Sequence, residues 1–318
     1  MSGRVRIAAF ALGLVAIFAA ALALGSAFDP ADTDAGGSHG EMAHGEAMSS
    51  TEEEETMYMH DDHQASAAKA TAGLSVAEGG YSLQIDPTYL EPGAARELHF
   101  RIEDASGAAV SDFDELHERE MHLIVVRRDG AHFQHLHPEM DEAGTWTTAL
   151  ALPAAGVYRA FADFSVAGNP YTLASDLFAS GSFEAQPFPP SAPVDRVDGY
   201  EVQLRDGTLE AGVPSALGFV VTKDGEGAVA LEDYLGAKGH LVALREGDLA
   251  FLHVHPDGPA HEEGHGAAEA HAPGKDESAP NVIPYTATFP TAGHYRLFLQ
   301  FKDDGQVRTA EFTVAVAG

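Results

Sequence analysis

HLIVVRRDGAHFQHLHP, residues 122–138, sets two short strand-like stretches on either side of Asp129-Gly130. Asp-Gly between alternating apolar residues is a strong hairpin signal, and along a strand every second side chain falls on the same face. With Asp129-Gly130 as a two-residue turn, facing residues have numbers summing to 259, and His122 opposes His137. With Arg128-Asp129 the sum is 257, and His122 opposes His135. Every loop of even length keeps the three histidines on one face. A slip of one residue would separate them.

The stretch recurs as HLVALREGDLAFLHVHP at 240–256. Here Glu246-Gly247 gives a sum of 493 and Gly247-Asp248 gives 495, pairing His240 with His253 or with His255. The repetition extends further. YSLQIDPTYLEPG (81–93) answers to YEVQLRDGTLEAG (200–212), and GVYRAFADF (156–164) to GHYRLFLQF (293–301). Neither copy carries a long apolar stripe of helical period, and both are built of short alternations broken by Gly, Pro and Asp. The pattern predicts an all-β chain with two tandem immunoglobulin-like β-sandwich domains, a β-barrel being the alternative.

The predicted boundaries follow composition. Residues 79–187 form the first repeat, the proline-rich 188–197 a linker and 198–318 the second repeat, which carries an insertion at 258–280. Residues 28–78 consist of Ala, Gly, Ser, acids, His and Met, and are expected to be a disordered tether. Ahead of them, Arg4 and Arg6 precede 19 uncharged residues, Ile7 to Gly25. Residues 1–27 therefore read as an export signal: either a membrane anchor, since the run just reaches spanning length, or a peptide removed at the small residues Gly25-Ser26-Ala27. Both place the rest of the chain outside the cytoplasm, anchored to the membrane or secreted.

Net charge is −31, with 49 acidic against 18 basic residues, which disfavours nucleic acid as a partner. The absence of Cys excludes disulfides, thiolate metal sites and Cys nucleophiles. A transition-metal site must then draw on the 17 His, the 7 Met or carboxylates. The leading ligand candidates are His122, His135 and His137 in the first repeat and His240, His253 and His255 in the second. Neutral imidazoles so grouped suit copper, zinc or nickel. The triplets are expected on the core-facing side of each sandwich, with Ile124, Val126 and Phe133 in one copy and Val242, Leu244, Leu249 and Phe251 in the other, where that face reaches the sandwich end. Glu139, Asp141 and Asp257 lie within loop reach as a further ligand, with His117 and His294 as less direct candidates. The competing reading is that these His merely finish strands and bond to backbone.

Weaker candidates surround them. The tether offers His39, Met42, His44, Met48, Met57, Met59, His60 and His63, a thioether and imidazole set that suits copper, or is only a solvating linker. The insertion offers His261, His265 and His271. His261 and His265 match HExxH literally, yet Gly and Pro flank them and no apolar stripe would pack such a helix, so a metalloprotease is rejected. Tyr158 and Tyr295 are expected to fix sandwich corners, with Arg159 and Arg296 beside them facing solvent. No Ser-His-Asp set, phosphate loop or catalytic carboxylate pair is legible.

HLIVVRRD…HLHP…GVYRAFADF and its second copy resemble tandem modules of exported actinobacterial proteins and, more remotely, YtkA-like and CopC-like β-sandwiches. The resemblance implies copper handling outside the cytoplasm without catalysis, and an envelope metal-transport partner. One departure is that CopC-type sites enlist the mature N-terminal amine, whereas here a long tether precedes the first repeat. The expected function is an exported, membrane-anchored, non-catalytic protein that buffers or passes metal ions. The alternatives are envelope scaffolding or adhesion with structural His, and a cupin-like metalloenzyme suggested by HxH followed by Glu142.

Overall fold

The computed structural model describes residues 71–225, 227, 229–254 and 282–318, and for His253 the backbone alone. The N-terminal segment, most of the proposed tether with its His and Met, His255, Asp257 and the whole 258–280 insertion lie outside the described residues.

The first repeat contains β1 (Ala77–Glu78), β2 (Tyr81–Asp86), β3 (Tyr89–Leu90), β4 (Arg96–Glu103), β5 (Met121–Arg127), β6 (Gln134–Leu136), β7 (Glu139–Met140), β8 (Trp146–Leu150), β9 (Gly156–Val166) and β10 (Asn169–Ala179). The second contains β11 (Val194–Val197), β12 (Tyr200–Asp206), β13 (Pro214–Lys223), β14 (His240–Arg245), β15 (Phe251–Val254), β16 (Val282–Thr288), β17 (Gly293–Asp303) and β18 (Gln306–Val316). Each repeat stacks two sheets. They are β1-β2-β4-β8-β7 over β3-β10-β9-β5-β6, and β11-β12-β13-β16 over β15-β14-β17-β18. The chain is therefore a tandem pair of immunoglobulin-like sandwiches. Separate apolar cores fill them, one around Leu98, Phe100, Trp146 and Phe164, the other around Val202, Phe219, Phe301 and Phe312.

The structure moves two boundaries. Val194–Val197, assigned to the linker, is β11 and pairs with β12. Residues 71–78, assigned to the tether, belong to the folded body: Gly73 N and Ser75 O bond to Thr172 and Ala174 of β10, and Ala72 O accepts from Phe251 N of β15. Gly73 needs its glycine. Its φ is +73°, and a Cβ there would stand 2.7 Å from the Phe161 ring and 2.8 Å from Phe251.

The central strands are buried on both sides. Every residue of β5 is buried: Met121, Leu123 and Val125 enter the first core, while Ile124 and Val126 enter a third apolar cluster. That cluster joins the repeats. It contains Ile124, Val126, Phe161 and Ala174 of one and Val242, Leu244, Leu249, Phe251 and Phe298 of the other, with Phe133 against it. The expected core-facing side is thus the face each sandwich turns to its neighbour, not its own interior. This also accounts for the continuous apolar runs, since a strand with two buried faces has no reason to alternate.

Ring contacts across this seam are reciprocal. Phe133 stacks on Phe298 at 4.1 Å, and Phe251, the counterpart of Phe133, meets Phe161, the counterpart of Phe298, at 5.3 Å. Contacts in which i meets j′ while i′ meets j mark a two-fold relation, here between two repeats of one chain.

Both tyrosines close corners as the sequence suggests, Tyr158 Oη donating to Ala154 O and Tyr295 Oη to Thr291 O at 2.9 Å each. Their neighbours do not face solvent. Arg159 and Arg296 are 8% and 5% exposed, because each extends beside the seam over the ring two residues on, Phe161 or Phe298. Arg159 also donates to Gly73 O and Asp176, and Arg296 to Thr313 and Glu311. Those partners satisfy charges that would otherwise be costly to bury.

Candidate functional site

The hairpin places the first three histidines. Leu123 pairs with Leu136 and Ile124 with His135, the register in which His122 opposes His137. The turn differs from the expected two-residue form. Arg127 N bonds to Ala131 O around Arg128-Asp129-Gly130, and His132, at φ 57°, takes up the odd residue. The connection from β5 to β6 is even in length, so parity survives. In the second repeat Leu241 pairs with Val254 and Val242 with His253, a register equivalent to that of the first repeat.

His122, His135 and His137 bring one ligand nitrogen each within 4.8 Å of one another. His122 is 1% exposed and the other two are half-buried. Their hydrogen bonds fix the protons. His122 Nε2 lies 2.9 Å from Leu116 O, and His135 Nδ1 lies 2.6 Å from Gln300 Oε1. Both oxygens only accept, so those ring nitrogens carry the hydrogens. A neutral imidazole has one N–H, so His122 Nδ1 and His135 Nε2, which face each other at 3.0 Å, are then both acceptors.

Two lone pairs at that distance repel unless something positive lies with them, either a metal ion or one shared proton. An ion with metal–nitrogen bonds of about 2.0–2.1 Å holds neighbouring ligands about 2.9–3.4 Å apart in square-planar or tetrahedral geometry, so the spacing fits. The third nitrogen is available: buried His137 Nε2 makes no hydrogen bond. Burial foremost, then the charges of His122 and Arg119, pushes the His137 imidazole down to about 4, which keeps it neutral and ligand-competent at pH 7.

The second repeat closes the cluster. The His240 ring lies 4.7 Å from that of His135 and stacks on that of His122 at 5.6 Å, and His117 lies 5.7 Å from His240. His240, expected in a triplet with His253 and His255, lies against the first triplet as well; the His253 side chain and His255 are outside the described residues. Of the further ligand candidates among the described residues, only His117 reaches the cluster, and Asp257 lies outside them. Glu139 lies on exposed β7, Asp141 caps its own loop through Ala143 N and Thr145 N, and His294 pairs with Glu246 at the surface.

Two residues at the cluster went unnoticed in the sequence. Asp163 stands across β9 from His122 and Gln300 across β17 from His240, at equivalent positions of the repeats. Both are nearly fully buried. Each also meets a threonine, Thr172 donating to Asp163 at 2.7 Å and Gln300 to Thr309 at 3.4 Å. A polar residue inside the otherwise apolar AFADF and LFLQF was the available signal.

Fold and cluster together define a class: paired immunoglobulin-like sandwiches with a histidine-lined seam. The chain belongs to the family described as a domain of unknown function, DUF8832, whose model matches residues 75–181 and again 195–318, one match per sandwich. No curated protein matches it. Among solved structures it is similar to the Escherichia coli adhesin FdeC, at 14% identity and a TM-score of 0.25, over 77% of this chain and 66% of that one. It is also similar to invasin, a bacterial integrin-binding protein (11%, TM-score 0.21, 76% and 41%), and to titin A168169 (10%, 0.19, 74% and 96%). The chain thus spans less than two thirds of the length of either bacterial protein. Superpositions this loose say nothing of function.

Proposed function

We propose that this is an exported, non-catalytic metal-binding protein in which His122, His135 and His137 hold one transition-metal ion beside the seam between the repeats. The observation that carries the reading is the pair of facing ring nitrogens of His122 and His135, each imidazole anchored from behind by an oxygen acceptor. Ligating histidines characteristically donate their second N–H in this way. An all-imidazole donor set suits copper or zinc, and the resemblance to copper-handling sandwiches favours copper. Buffering, or passing the ion to an envelope transport partner, is the role that fits such a site. Membrane attachment would come from the N-terminal apolar run.

A second reading has its own support. The bond from His122 to Leu116 O ties β5 to the preceding loop without any ion, and a shared proton between His122 and His135 would satisfy the same geometry. In that case the protein is an envelope scaffold or adhesion module with structural histidines.

Titration of the chain with Cu(II) and Zn(II) at neutral pH separates the two. The metal-binding reading expects a tight first equivalent that is lost on changing His135 and His137 to Ala. Equal binding by wild type and double variant would leave only the scaffold.

A further inference from the structure

The hydrogen bond that fixes His135 crosses the seam. Its donor is on β6 of the first repeat, and its acceptor, Gln300 Oε1, is on β17 of the second, 165 residues away in sequence. Gln300 is 7% exposed, and its amide nitrogen points to Thr309 Oγ1, which leaves the oxygen for His135. Without an acceptor there, nothing in this bond would keep the hydrogen on Nδ1. The proton could then occupy Nε2, the nitrogen that faces His122. We infer that Gln300 is the positioning residue of the metal site, supplied by the second repeat, so that occupancy of the first repeat's histidines and docking of the two sandwiches are linked.

The inference rests on the metal-binding reading and adds a consequence to it. Whatever binds more tightly when Gln300 is in place must, by reciprocity, favour the arrangement that puts it there. An ion on His122, His135 and His137 would therefore hold the sandwiches together although it touches ligands of only one of them. The apolar contacts of Phe133 with Phe298 and of Phe161 with Phe251 already hold the seam closed, so the ion adds to a formed interface.

The test uses the full chain and Zn(II) in competition with a chromophoric chelator, reading the first equivalent in wild type, Gln300→Leu, Gln300→Glu and His135→Ala/His137→Ala. Leucine keeps the approximate bulk and removes the acceptor, so affinity should fall about 10- to 100-fold, the usual effect of losing such a partner. Glutamate keeps an acceptor and should bind at least as tightly as wild type. Equal affinity in Gln300→Leu and wild type, or equal losses in the Leu and Glu variants, would overturn the role of Gln300. Unchanged binding in the double-histidine variant would instead overturn the site itself. Nitrogen-15 NMR of the histidine rings in the metal-free wild type is a check that does not depend on a variant folding. A proton on Nδ1 of His135 is expected, and one on Nε2 alone would refute the inference.

Discussion

Acid should unfold the metal-free protein partly through His137, and the size of that contribution follows from its surroundings. Burial and the charges of His122 and Arg119 lower its imidazole from the ordinary 6.5 to about 4. Between those values an unfolded chain takes up a proton that the folded chain refuses, so stability is complete above pH 6.5 and falls as the pH drops towards 4. With a pKa unit worth about 1.4 kcal/mol, the deficit at pH 5 is at most about 2 kcal/mol, since the ring is only partly buried. Chemical denaturation with a chelator present, at pH 7.5 and at pH 5, should be run on wild type and on His137→Gln. Other groups titrate in both proteins, and the difference between the two losses isolates this ring. The variant should lose about 1–2 kcal/mol less than wild type over that interval. Losses equal within about 0.5 kcal/mol would mean that His137 is as well solvated folded as unfolded, and the low imidazole value would be wrong.

Two further outcomes test the seam. Gly73→Ala forces a Cβ against Phe161 and Phe251 at a backbone angle that disfavours it, and should cost about 2 kcal/mol or more in equilibrium unfolding; a neutral effect would place residues 71–75 away from the seam. Phe298→Ala removes the ring stacked on Phe133 and should cost about 3–5 kcal/mol. It should also split a single calorimetric transition towards two, because the cores of the sandwiches are separate while the seam cluster is what they share.

Strand periodicity and repeat spacing make the sandwiches, the hairpin parity and the His122–His135–His137 grouping legible in the sequence. Parity survived even though the turn was wrong, because a bulge at His132 compensates for the longer loop. The neighbour of each face was not legible. A strand such as HLIVV shows two apolar faces, but nothing local says whether the second is covered by its own domain or by another. The error carried over to the arginines: Arg159 and Arg296 look like surface residues until the facing repeat covers them. Gln300 stayed hidden for the same reason, since its meaning lies in a histidine of the other repeat.

The reciprocal pairing of Phe133 with Phe298 and Phe251 with Phe161 makes each repeat carry both halves of one contact. Severed from its sibling, a single repeat would expose a patch complementary to itself and would be driven to homodimerise through it. The intact chain satisfies that patch internally, at an effective concentration that a free partner can hardly match. Tandem duplication here does the work of dimerisation while allowing the halves to differ, as they already do where one repeat carries Asp163 and the other Gln300.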